Sequence, residues 1–204
     1  MIQGRISGES RVAGSAIHMR GLSIQSTNLA DVKIIVPPRY QDSRGCFCES
    51  YNKRALAAAG IVLEFVQDNY SLSAKRGVVR GLHFQVNPFA QDKLIRVVRG
   101  AIFDVAVDLR PASLTWGRHV SALLSADEGN QILVPKGYAH GFCTLEPNTE
   151  VAYKVTSYYA REHERGLLWN DPELGIAWPI TPAEAILSDR DRHFPRLADL
   201  RDNS

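Results

Sequence analysis

Six histidines offer imidazoles that could move a proton: His18, His83, His119, His140, His163 and His193. Two stand out by context. His83 lies in Arg80-Gly81-Leu82-His83-Phe84-Gln85, and His140 lies in Pro135-Lys136-Gly137-Tyr138-Ala139-His140-Gly141-Phe142. Other catalytic signatures are missing. The chain has no Gly-x-Gly-x-x-Gly, no phosphate-loop lysine motif and no Gly-x-Ser-x-Gly elbow. Of the cysteines, Cys46-Phe47-Cys48 lacks the two-residue gap of a zinc knuckle, and no second pair follows. Cys46, Cys48 and Cys143 therefore read as small buried hydrophobes. An odd number without regular spacing is a poor disulfide framework, so a reducing, cytoplasmic compartment is expected.

The elements that must position these residues are strands. Ile34-Ile35-Val36 is a β-branched run stopped by Pro37-Pro38. Asp42-Ser43-Arg44-Gly45 is a turn signal, and Cys46 to Tyr51 follows as a strand. Asn52 can cap one short helix, Lys53 to Ala59, with Gly60 as its stop. Leu94 to Val98 and Ile102 to Leu109 read as a strand pair hinged at Arg99-Gly100. In the second strand, Phe103, Val105, Val107 and Leu109 alternate with Ile102, Asp104, Ala106 and Asp108, the pattern of a half-buried antiparallel strand. Further strands are expected at 119–124, 131–134, 141–145 and 151–155, separated by Pro, Gly and Asn turn signals. Many short strands at this spacing predict a sandwich or barrel. The Pro-rich stretch from 170 onward reads as irregular, with short helical pieces.

Composition narrows the functional classes. The chain has 204 residues, of which 45% are hydrophobic and 23% charged, as expected of a globular domain with its own core. Lys plus Arg number 24 against 22 Asp plus Glu, and this balance argues against a nucleic-acid coat. No apolar run approaches the roughly 20 residues that span a bilayer. Residues 1–20, rich in Gly, Ser and Arg, are expected to be disordered, and residues 21–204 to form a single domain.

Gly129, Pro135, Gly137 and His140 fit the second motif of the cupin barrel: Gly, five residues, Pro-x-Gly, two residues, His. In the first motif Gly77 and His83 keep their places, but Gln85 replaces the second histidine and no Glu follows at the right distance. A transition metal wants three or four good ligands, so the sequence resembles a cupin whose metal site is absent. The resemblance then narrows to one family, the dTDP-4-dehydrorhamnose 3,5-epimerases. The matching segments are 42–45 leading to 49–50, 65–69, 77–85, 90–94, 104–110, 135–142, 152–154, 158–159, 169–172 and 187–191, in family order. Asp92 departs from the family, which often has Gly there.

This resemblance implies an all-β cupin double-stranded β-helix, a jelly-roll barrel with a few short peripheral helices. It implies cofactor-independent epimerisation at C3 and C5 of dTDP-4-dehydro-6-deoxy-D-glucose, with no metal, in deoxysugar biosynthesis. His83 is the implied base, held by Asp191; Tyr153 is the implied acid on the opposite face; Lys93 and Arg80 are placed to stabilise the enolate oxygen. Arg44, Arg80 and Arg190 are implied diphosphate and sugar clamps. Glu49, Gln67, Asp68 and Asn69 resemble nucleotide-contacting positions, Tyr159 resembles the ring that stacks on thymine, and His140 and Glu164 complete the substrate lining. The family is homodimeric with an exchanged N-terminal strand, through which Arg44 and Glu49 would serve the partner's site. The same residues suit relatives that invert only C3 or only C5. A non-catalytic sugar-nucleotide-binding cupin is disfavoured by the joint presence of His83, Asp191, Tyr153 and Lys93.

Overall fold

A computed structural model describes residues 17–19 and 21–201 of the chain. Fourteen strands, numbered β1 to β14 in chain order, form two large sheets and a hairpin among these residues. The larger sheet runs β1 (Ile17–Met19), β2 (Leu22–Ser26), β3 (Lys33–Val36), β11 (Gln131–Val134), β8 (Lys93–Arg99), β13 (Thr149–Val155), β6 (Gln67–Ser73). The smaller runs β10 (His119–Ser125), β9 (Ala101–Asp108), β12 (Tyr138–Thr144), β7 (Val79–Gln85), β14 (Glu164–Gly166). A hairpin of β4 (Arg39–Asp42) and β5 (Gly45–Cys48) stands apart from both. No helix among the described residues is long and apolar enough to cross a membrane.

Period-two alternation on both sheets sends one set of side chains into the space between them. Ile95 and Val97 of β8, Ile102 and Ala106 of β9, Ile132 and Val134 of β11, and Tyr138 and Phe142 of β12 meet there as the main core. Each fully buried side chain of this size contributes about 1.5–3 kcal/mol. The opposite faces are also covered. Leu56 of helix α1 (Lys53–Ala58) packs on Leu22, Ile35, Leu94 and Leu133 of the larger sheet. Asn52 caps that helix, its side chain accepting a hydrogen bond from the Ala55 amide.

Several expectations change. First, β8 and β9 do not pair. Gly100, at φ 76°, turns the chain from one sheet into the other, so β8 lies between β11 and β13 while β9 lies between β10 and β12. Second, β9 is not half-buried. Val105 and Val107 on its outward face pack under Leu167, Leu174 and Leu197 of the C-terminal tail. That tail is irregular as expected, with a 3₁₀ turn at Pro172–Leu174 and helix α2 at Leu197–Arg201. Third, only Cys143 is a buried small hydrophobe; Cys46 is exposed and Cys48 half-buried on the hairpin. The strand expected over Cys46 to Tyr51 is the shorter β5. Disorder was expected over residues 1–20, yet Ile17–Met19 pair with Leu22–Ile24; residues 1–16 and 20 lie outside the described residues.

One glycine fixes the geometry on which the cleft depends. Gly81 of β7 has φ 116°, and a Cβ there would lie 2.6 Å from the His140 carbonyl oxygen and 2.7 Å from Gly141 Cα. An alanine would have to adopt a disfavoured backbone region and push two strands apart. Gly81→Ala is expected to cost at least about 2 kcal/mol in urea unfolding. An unchanged midpoint and slope would contradict the close approach of β7 to β12.

Candidate active site

Strand β7 carries the first functional group through an irregularity. His83 sits opposite His140, and Arg80 opposite Phe142, so three steps on β7 match two on β12. The extra residue is a β-bulge, which resets the alternation of faces. Strict period two would put Arg80 and His83 on opposite faces. Here both line one cavity of about 370 Å³, together with Lys93, His140, Tyr153, Arg190 and Asp191. A second chamber of about 220 Å³ is lined by Gln67, Asn69, Tyr159 and Glu164, and shares His83, Lys93 and Tyr153 with the first. The two chambers meet at those three residues.

The tail returns Asp191 to β7. Its Oδ1 lies 2.7 Å from Nε2 of His83, and its own amide donates to Ser188 Oγ at 3.1 Å. The Gly81 amide points at Oδ2 from 3.5 Å. Burial opposes ionisation of Asp191, but the hydrogen bond and charge of His83, with the Gly81 and Ser188 contacts, outweigh it and hold the carboxyl below its usual range. The carboxylate accepts from one ring nitrogen, so the other carries the imidazole lone pair.

Lys93 opens β8 and points inward, against the ordinary preference of a strand lysine for solvent. It is 8% exposed, and Nζ donates to the His83 carbonyl at 3.2 Å. Burial lowers its pKa to about 8, with the charges of Glu164 and Asp104 acting in the opposite sense. Tyr153 of β13 lies on the inward face with Val151 and Val155, between Ile95 of β8 and Asn69 of β6. Burial raises its phenol above the usual value; Glu164 adds to this and Arg80 opposes it.

The remaining expected residues divide into two groups. Gln67 and Asn69 face the cleft and are linked at 2.8 Å, Nε2 of Gln67 donating to Oδ1 of Asn69. Tyr159 and Arg190 both reach Glu164 Oε2, each at 2.7 Å, and form a rim. Asp68, one step along β6, points the other way and pairs with Lys154 at 2.8 Å. Glu49 and Asp68 line a further hollow of about 400 Å³, with Leu94, Arg96 and Lys154, that borders the cleft at Asn69 and Tyr153 but holds neither His83 nor Lys93. Arg44 is exposed in the β4–β5 turn, paired with Asp42 at 2.6 Å. The structure therefore does not bring Arg44, Glu49 or Asp68 into this chain's own cleft.

Two residues in the cleft wall received no role from the sequence. Asp104 is fully buried behind His140, whose Nε2 lies 2.9 Å from Asp104 Oδ2. Burial pushes the Asp104 carboxyl up, against the pull of His140 and Lys93. An acidic residue on the face shared with Ile102 and Ala106 was the available signal. The other is Gln85, where a metal-binding cupin has a ligand. Its amide is engaged with backbone at Phe89, Tyr158 and Ala160. Among the described residues, no three His, Cys, Asp or Glu side chains converge as a metal site. A larger hollow, about 550 Å³ beside Phe84, Leu109 and Trp116, is lined by none of His83, Lys93, Tyr153 and Asp191.

The chain was compared with known proteins. The family model for dTDP-4-dehydrorhamnose 3,5-epimerase matches residues 26–199. The epimerase of Sinorhizobium fredii is 50% identical over 176 residues, covering 86% of this chain and 90% of that protein. A crystal structure of the Bacillus anthracis epimerase, with TDP and pyrophosphate bound, is 54% identical, with a TM-score of 0.83 over 86% of this chain and 99% of that one. The Legionella pneumophila epimerase, solved with dTDP-4-keto-L-rhamnose, is 42% identical, with a TM-score of 0.82 over 88% and 96% of the two chains. The two facing sheets are the cupin-type barrel of these enzymes. By sequence along most of its length and by fold, the chain belongs to the dTDP-4-dehydrorhamnose 3,5-epimerase family.

Proposed function

We propose that this cleft epimerises dTDP-4-dehydro-6-deoxy-D-glucose at C3 and C5, giving dTDP-4-dehydro-L-rhamnose without a cofactor, with His83 as base and Tyr153 as acid. The observation that carries the reading is the meeting of His83, Lys93 and Tyr153 at the junction of two chambers, with Asp191 behind the histidine. The C4 ketone acidifies the hydrogens at C3 and C5. His83 removes one as a proton, and the C–H electron pair passes into the ring to leave an enolate oxygen at C4. The Lys93 ammonium is the charge available to that oxygen. Tyr153 returns a proton to the other face of the same carbon, which inverts it. Imidazolium and phenolate then exchange protons with solvent, and the second carbon follows the same course. Asp191 stabilises the imidazolium and fixes the ring tautomer.

The rest of the nucleotide sugar has groups to meet it. Arg80 and Arg190 border the His83 chamber and suit phosphate oxygens, with His140 in the same lining. Gln67, Asn69 and Glu164 line the other chamber, where Tyr159, about half exposed, offers a ring to the base. A homodimer belongs to the same reading. The β4–β5 hairpin holds Arg44 away from its own cleft and exposes Tyr40 and Phe47, as suits an arm that serves a partner.

Two measurements probe the roles. In Tyr153→Phe the ring stays and only proton delivery is lost. In deuterated water, label should enter the sugar with its configuration retained, while inversion falls about 10²–10⁴-fold. Inversion at the wild-type rate would remove Tyr153 from the mechanism. The second is the pH profile of kcat/KM. Lys93 is charged below its pKa of about 8 and neutral above it, so enolate stabilisation is lost as pH rises through that value. Tyr153, raised above the ordinary phenol value, keeps its proton through the same range. An alkaline limb near pH 8 is expected, moving upward in Lys93→Arg, whose guanidinium does not deprotonate. A profile flat to pH 9.5 would count against Lys93.

A further inference from the structure

Three consecutive residues after β13 are held by two glutamine side chains, one from each sheet. Gln85 of β7 is 5% exposed, and its Nε2 donates to the Phe89 carbonyl at 2.7 Å and the Tyr158 carbonyl at 3.1 Å. Its Oε1 accepts from the Ala160 amide at 2.8 Å. Between these two contacts, the Tyr159 amide donates to Oε1 of Gln67, on β6 of the other sheet, at 3.1 Å. Gln91 adds a bond to the Ser157 carbonyl at 2.7 Å. The rings of Tyr158 and Tyr159 are mostly exposed, so little apolar burial fixes this segment. The backbone of residues 158 and 159 and the Ala160 amide are therefore held by side-chain amides, while the Tyr159 hydroxyl is tied to Glu164 at 2.7 Å and the Ala160 carbonyl to the His163 amide. Both N–H donors of Gln85 are used, and its carbonyl is engaged as well.

We infer that Gln85 is a positioning residue for nucleotide recognition: with Gln67 it clamps residues 158–160 to both sheets and so sets the pose of the Tyr159 ring. The strand position that would give a metal ligand in a metal-binding cupin gives a strut here. The inference rests on the proposed reading of Tyr159 as the platform for the base. The consequence is a division of labour along β7. His83 acts on the sugar, and two residues later Gln85 acts on the nucleotide through the segment it ties down. A loosened platform weakens binding of the free nucleotide diphosphate and raises KM, while bound substrate still meets His83, Lys93 and Tyr153.

The test is a double-mutant cycle read by calorimetric titration with dTDP alone, with steady-state kinetics alongside. Gln85→Met keeps length and apolar bulk but removes the partner of the Phe89 and Tyr158 carbonyls and of the Ala160 amide. It should raise the dTDP Kd and the substrate KM about tenfold, with kcat changed less than threefold. Tyr159→Ala should weaken dTDP binding at least as much, and the double variant should bind no worse than Tyr159→Ala. Where Gln85→Met does not fold, Gln85→Glu replaces it in the cycle with the same expectation, since it retains the acceptor for Ala160 and sets a carboxylate against two carbonyls. Unchanged dTDP binding in Tyr159→Ala would overturn the platform reading, and the inference with it. Weakened binding in Tyr159→Ala with unchanged binding in the Gln85 variant would overturn the clamp alone, as would losses that multiply in the double variant.

Discussion

The hydrogen bond between His83 and Asp191 joins residues 108 positions apart, and the course of the tail is organised around it. Leu167 exchanges backbone hydrogen bonds with Leu82, at the bulge beside His83. Leu174 and Leu197 then anchor the tail on the outer face of β9. Between them the chain crosses back, bridging Val78 to Ile186, and sets Asp191 against the imidazole. Phe194 closes over the histidine edge-on, with ring centroids 5.5 Å apart. Gly166 leaves room for that ring, since a Cβ there would lie 2.3 Å from it. The apolar contacts of the tail thus maintain a polar contact in the cleft.

The interior of the barrel is divided by chemistry. Aliphatic side chains fill one part to close packing, and Lys93, Asp104, His140, Tyr153 and Asp191 share the other. Burying such groups is costly unless each finds a partner. The pair His83–Asp191 meets that requirement; His140 partners Oδ2 of Asp104 while Oδ1 stays buried without a hydrogen bond, and Lys93 lies in the field of Glu164 and Asp104. The same burial lowers the lysine pKa and raises that of the tyrosine. Desolvation thus disfavours both the Lys93 ammonium and the Tyr153 phenolate, as suits the roles proposed for them: a charge relieved by a developing enolate and an acid that holds its proton.

Much of this was legible in residue order. Alternation and turn residues located most strands, and His83 and His140, with the residues that the family resemblance implies, pointed to the candidate cleft. Other features depend on partners that periodicity does not encode. Which strand lies beside β8 is decided by a glycine turning between sheets, so the apparent hairpin with β9 dissolves. The bulge at Gly81 puts Arg80 and His83 in one cavity, which strict alternation forbids. Asp68 follows the alternation and so faces away from Gln67 and Asn69. Asp104 and Gln85 received no role from the sequence because what they do lies in what they touch: His140 in the cleft wall, and the backbone of a distant segment.

The central claim is that His83 moves the proton at both carbons next to the ketone. It is tested most directly by incubating the enzyme with dTDP-4-dehydro-6-deoxy-D-glucose in deuterated water and following C3 and C5 by NMR. The account predicts deuterium at both carbons of the inverted product with the intact enzyme, and no incorporation above the uncatalysed background with folded His83→Ala. Exchange at either carbon persisting at the wild-type rate in His83→Ala would contradict it.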